Sequence, residues 1–156
     1  GAAVSARALL LLIALALVAA SPRAAAQAVP LDDTGTLVMG RQVPMRWDDA
    51  RGATQMLSGS VVVHLRLDVR AWRGQVVRIY QVLPAQPGTP VEMQWRSRGV
   101  LMPGRMRDGD RVLVFAGRID ADVLQDTLEL GLRLDGDRSS ERERLRVGYE
   151  LETDPT

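Results

Sequence analysis

Ser60–Arg70 reads SVVVHLRLDVR, and every second residue in it is apolar. Val61, Val63, Leu65, Leu67 and Val69 fall on one side, with Val62, His64, Arg66, Asp68 and Arg70 on the other. A repeat of two is that of a β-strand, whose successive side chains point to opposite faces. An amphipathic helix would instead place apolar residues three and four apart. The segment therefore predicts a strand with one face in a core and one in water.

The same spacing recurs on both sides of this segment. Val91, Met93 and Trp95 alternate with Glu92, Gln94 and Arg96. Leu128, Leu130, Leu132 and Leu134 alternate with Thr127, Glu129, Gly131 and Arg133. Leu145, Val147, Tyr149 and Leu151 alternate with Arg144, Arg146, Gly148, Glu150 and Glu152. Gln75–Leu83 and Arg111–Phe115 are apolar on both sides, the pattern expected of central strands. Leu37, Met39, Val43, Met45 and Trp47 keep the two-residue phase, interrupted only by Arg41, and Gly40 and Pro44 demote the stretch to an edge strand with a bulge.

Turn-forming residues separate these runs. Pro84–Pro90 (PAQPGTP) predicts a stiff loop, and Pro103-Gly104 suits the central positions of a type II turn. Asp108-Gly109 and Asp135-Gly136 are turn pairs, and Asp120–Asp126 has room for a short helical turn. The last two strands are expected to pair as a hairpin across residues 136–143. About eight short strands spaced by turns favour an all-β, antiparallel β-sandwich, Ig-like or jelly-roll-like, with a barrel as the alternative.

The N-terminal residues carry an address. Arg7 precedes an apolar run of 13 residues, Ala8 to Ala20, followed by Pro22 and alanines that offer an A-x-A cleavage site. A bilayer-spanning helix takes about 20 residues, so a cleaved signal peptide is expected rather than an anchor. Residues 1–28 are assigned to it, with a truncated start because the chain opens at Gly1, and residues 29–156 to one domain. Absence of cysteine closes both the disulfide and the lipidated-cysteine routes. All 20 basic residues are Arg, with no Lys and no Asn, the bias of a GC-rich genome, and this points to a bacterial envelope setting, periplasmic or cell-surface.

Composition also excludes chemistries. The formal charge is +1, falling to −1 without Arg7 and Arg23, whereas a nucleic-acid binder needs a basic field. His64 is the single histidine, it sits on the polar side of a strand, and no G-x-S-x-G elbow accompanies it. Zinc sites need cysteines or several histidines. No phosphate-cradling glycine pattern is present. Asp108, Asp110, Asp120, Asp122, Asp126, Asp135 and Asp137 have spacings that calcium sites use, but the EF-hand pattern is absent and the adjacent Arg111 and Arg138 oppose a cation, so ordinary capped turns are the expected reading. No catalytic residue, cofactor or metal is expected.

Two functions are weighed. The first is an exported, non-enzymatic structural or interaction protein, pairing with other envelope proteins or with itself through an edge strand. Leu37, Met39, Val43, Met45 and Trp47 are the candidate pairing residues. The alternative is a binding module for polysaccharide or another anionic ligand, using Arg66, Arg70, Trp72, Arg78 and Arg96. Neither implies nucleic acid or stable membrane insertion after processing. Trp47 and Trp95 are in phase with core residues, leaving Trp72 as the tryptophan to examine for exposure.

Overall fold

The computed structural model describes residues 26–39, 46–47, 56–85, 90–135 and 146–154. Most of the expected signal segment (residues 1–25), Val43, Met45, residues 86–89 of the expected Pro84–Pro90 loop, Gly136 of the expected Asp135-Gly136 turn, and Asp137 lie outside them. Within them the chain is all-β, ten strands in two antiparallel sheets with no α-helix. The strands are β1 (Val29–Pro30), β2 (Leu37–Met39), β3 (Arg46–Trp47), β4 (Met56–Asp68), β5 (Val76–Val82), β6 (Val91–Ser97), β7 (Gly104–Arg107), β8 (Arg111–Arg118), β9 (Val123–Asp135) and β10 (Gly148–Thr153).

One sheet has the order β1-β10-β5-β8. The other has the order β2-β4-β9-β6-β7, with β3 pairing on the same edge of β4 as β2. Long strands β4 and β9 pair along 13 residues, from Met56↔Asp135 to Asp68↔Val123, and form the spine of the larger sheet. Both sheets turn their alternating apolar faces toward one hydrophobic cluster, which holds Val63, Leu65 and Leu67 of β4, Leu128 and Leu132 of β9, Met93 and Trp95 of β6, Val77 and Ile79 of β5, and Leu151 of β10. This is a sandwich-like arrangement, and the faces assigned to Ser60–Arg70 are those observed: Leu65, Leu67 and Val69 are buried and His64 is exposed.

Four expectations require correction. The last two strands do not form a hairpin. β9 lies between β4 and β6, so both of its edges are occupied, and β10 lies between β1 and β5 in the opposite sheet. β8 is an edge strand of its sheet rather than a central one, and the two-sided apolar pattern around Val112–Phe115 coincides with a register shift at Ile79/Tyr80 of its partner β5. Gly104 has no positive φ, as a type II turn would demand. It opens β7, where an added Cβ would lie 2.7 Å from Cζ2 of the buried Trp95, so the position needs glycine for close approach. Finally, Asp120–Asp126 is a bend leading directly into β9, and the one helical turn among the described residues is a 3-10 turn at Arg70–Trp72. The Asp108-Gly109 turn stands as expected, with Gly109 at φ +85° between β7 and β8.

The segment between β1 and β2 straps the two sheets together. Leu31 is buried and its N–H donates to the Tyr149 carbonyl of β10, while the Asp68 N–H of β4 donates to the Asp32 carbonyl. Hydrogen bonds from the Thr34 hydroxyl and amide hold the Asp32 carboxyl below its ordinary range. The chain thereby crosses from the edge of one sheet to the edge of the other within six residues, 31–36.

Candidate functional site

The strap leaves one side of the molecule open. β1 contributes only Val29 and Pro30 to its sheet, opposite Leu151 and Glu150, and beyond the hydrogen bond from Leu31 to the Tyr149 carbonyl no further backbone pairing to β10 is seen on that side among the described residues. Beneath this gap lies a cleft of about 300 Å³ between the sheets. Its walls are the inward side chains of Val61, Val63, Leu130 and Leu132 on the larger sheet, facing Val147 and Tyr149 on the smaller one. Asp33, Thr36 and Val38 form its rim.

β2 borders this cleft. Leu37, Val38 and Met39 pair with His64, Val63 and Val62 of β4, leaving the other edge of the strand without a partner among the described residues. All three side chains are exposed, at 61%, 56% and 57%. Alternation places Val38 over the cleft, level with inward Val63, and directs Leu37 and Met39 to the outer face with His64 and Val62. An apolar edge strand without charge or proline is the arrangement that folded proteins ordinarily avoid.

Two polar groups meet in the buried interior beside the cleft. The Tyr149 hydroxyl donates to Gln81 Oε1 at 3.1 Å, and Gln81 Nε2 reaches the Met106 sulfur at 3.5 Å. Gln81 is fully buried although it stands in the apolar phase of β5, with Val77 and Ile79. Burial pushes the Tyr149 hydroxyl well above the ordinary tyrosine value, and the carboxylates of Asp33 and Asp126 add to the shift. The pattern of alternation alone gave no signal for this pair, because Gln81 occupies a position where the period calls for an apolar residue.

Of the candidate pairing residues, Leu37 and Met39 stand on the open edge. Trp47 is placed in β3 opposite Leu57, with its side chain outside the described set, as are Val43 and Met45 altogether. The candidate ligand residues are not brought together. Arg66 and Arg96 face outward from the larger sheet, whereas Arg78 faces outward from the smaller one, on the opposite side of the molecule. Arg70 lies in the 3-10 turn, 3.1 Å from Asp68, and Arg78 forms an ion pair with Asp154. Trp72 is half-buried and packs against the core cluster, so at least part of its ring is taken up there. Trp95 is in the core, as expected, and its indole N–H donates to the Met102 carbonyl at 2.9 Å.

The acidic residues act as turn anchors. Asp126 is buried, and its carboxylate accepts from the Ser97 hydroxyl and the Leu101 N–H, both at 2.8 Å, and from the Thr127 N–H. Asp110 accepts from the Arg107 N–H at 2.7 Å, and Asp122 lies 3.1 Å from Arg73. Among the described residues no three His, Cys, Asp or Glu side chains converge on a point that could hold a metal ion. His64 Nδ1 shares a hydrogen bond of 3.1 Å with the Thr127 hydroxyl on the outer face, a cross-strand polar pair.

No protein-family model matches the chain, and no curated protein is similar to it. What the fold and site define is an all-β protein of two antiparallel sheets with one open, apolar edge.

Proposed function

We propose that this chain is an exported, non-enzymatic interaction protein of the bacterial envelope or cell surface. In this proposal it is a β-sandwich that associates with a second copy of itself, edge to edge along β2. The observation that carries the proposal is the run of three exposed apolar residues, Leu37, Val38 and Met39, on a strand that among the described residues is hydrogen-bonded along one edge only.

A second β2 laid alongside the first supplies the missing main-chain partners. It also brings another Val38 toward the apolar cleft rim. The contact is self-complementary, so one apolar strand serves as both donor and acceptor of the pairing. The leader-like N-terminal residues support an exported setting, in which the cysteine-free domain depends on its core alone.

Deleting residues 27–47 is too blunt a test, because it removes Leu31 from the core together with the strap. Val38→Lys is sharper, since it places a charge at the cleft rim on a residue that is already exposed. Light scattering coupled to size exclusion is expected to show concentration-dependent association of residues 29–156. The V38K variant is expected to remain monomeric with an unchanged circular dichroism spectrum. A monomer at every concentration, or association that V38K leaves intact, rules the proposal out.

A further inference from the structure

A different feature lies on the outer face of the larger sheet, away from the β2 edge. The registers define its outward rows. Val62, Glu129 and Arg96 form one row, Ser60, Gly131, Gln94 and Arg105 the next, and Ser58, Arg133, Glu92 and Arg107 the one beyond. Gly131 sits at the centre of the middle row on the long strand β9, where every neighbouring outward position carries a side chain. The Gln94 side chain leans over this glycine, its Cγ and Nε2 3.3 and 3.4 Å from where a Cβ would stand, and a groove of about 590 Å³ lies here, walled by Ser60, Gln94, Arg96, Arg105 and Glu129. It runs on around Gln94 and Arg105 toward Arg107 and Arg133. The two outer rows are four residues apart along β6, or about 14 Å at strand spacing.

The charges around this groove are unbalanced. Glu129 is engaged by Arg98, and Glu92 lies 3.1 Å from Arg107, so both carboxylates are already committed. Arg96 and Arg105, diagonal neighbours across β6 and β7, have no acidic partner among the described residues. The outer face of the smaller sheet is the opposite case. There Glu150 and Glu152 both bind Arg111, at 3.0 and 2.6 Å, and Asp154 binds Arg78.

We infer that this groove binds an acidic polysaccharide, with uronate carboxylates held by Arg96 and Arg105. A guanidinium presents a planar fork of N–H donors that matches a carboxylate in two parallel hydrogen bonds. The Ser60 hydroxyl and the Gln94 amide add neutral donors and acceptors of the kind that sugar hydroxyls need. The continuation of the groove past Gln94 and Arg105 toward Arg107 and Arg133 suits an extended chain. A lipid surface would require exposed apolar side chains, whereas the outward side chains around Gly131 are Ser60, Gln94, Arg96, Arg105 and Glu129. This site is independent of β2 and stands whether or not the chain self-associates.

The test is calorimetric titration of residues 29–156 with an oligogalacturonate, with a neutral oligosaccharide of equal length and inorganic phosphate as the other arms. The oligogalacturonate is expected to bind, and more weakly as salt rises. Arg96→Gln and Arg105→Gln together are expected to weaken binding by about tenfold or more, the scale of losing charge-assisted hydrogen bonds. Each single variant is expected to give part of that loss. The charge-matched pair Arg78→Gln and Arg118→Gln, on the opposite face, is expected to change binding little. Four results overturn the inference: no oligogalacturonate binding, equal loss in both double variants, equal binding of the neutral sugar, or phosphate competing as well as the uronate chain. Melting temperatures of the variants near that of the parent keep loss of binding distinct from loss of fold.

Discussion

At the scale of single residues, the buried Tyr149–Gln81 pair shows what alternation leaves unread. Alternation assigned Tyr149 to the inside, where it is found, yet it said nothing of the polar partner its hydroxyl requires. That partner is Gln81, a polar residue in an apolar phase, directly across from Tyr149 in register. A buried hydroxyl needs such a bond, which is worth about 1 kcal/mol net. The pair also sets a pH dependence. The ordinary tyrosine value is 10.0 and the folded one lies well above it, so the unfolded chain gives up its proton first as pH rises. Stability from this group is complete below the unfolded value and declines above it. Tyr149→Phe is therefore expected to be less stable than the parent at about pH 8, by about 1 kcal/mol, with the gap narrowing toward about pH 11. Urea midpoints at the two pH values check this, and a constant gap contradicts it. The arginine positions were legible only as to face. Arg66 and Arg78 each point outward as the period requires, but outward from different sheets, and a period of two carries no information about which sheet a strand joins.

At the scale of elements, the strands were legible and their neighbours were not. Ser60–Asp68, Val91–Arg96 and Thr127–Asp135 are parts of β4, β6 and β9 with the expected faces inward, and the strand expected to run to Arg70 stops at Asp68 before the 3-10 turn. The expected hairpin of the last two strands failed because any alternating strand can serve as partner to any other. What decides is how the whole set closes, and β9 closes between β4 and β6. The β6–β7 connection shows the same limit. Pro103-Gly104 has the composition of a tight turn, yet the glycine serves the indole of Trp95, and the loop before it is anchored by Asp126. Gly104→Ala is expected to lower stability by about 1–3 kcal/mol, since its methyl has to displace a ring that is 2% exposed and hydrogen-bonded to Met102. Chemical denaturation checks it, and a variant equal to the parent shows that the ring can move aside without cost. The edge character of Leu37–Met39 was readable from Gly40 and Pro44 nearby. That the strand is apolar on both sides, beside an open cleft, emerged only with β4 and β10 in place.

At the scale of the whole molecule, three surfaces have distinct characters: a neutral outer face laced with ion pairs, a basic outer face with a groove, and an apolar edge. The apolar edge is the one most costly to leave in water, and self-association along it is the central claim. Hydrogen exchange of residues 29–156, followed by mass spectrometry at low and high protein concentration, tests that claim directly. The β4–β9 spine is already fully paired, so its protection is expected to stay constant. Peptides covering Leu37–Met39 are expected to gain protection as concentration rises and to lose that gain in V38K. Protection at β2 that does not depend on concentration, or a gain confined to β8 at the far edge, contradicts the account.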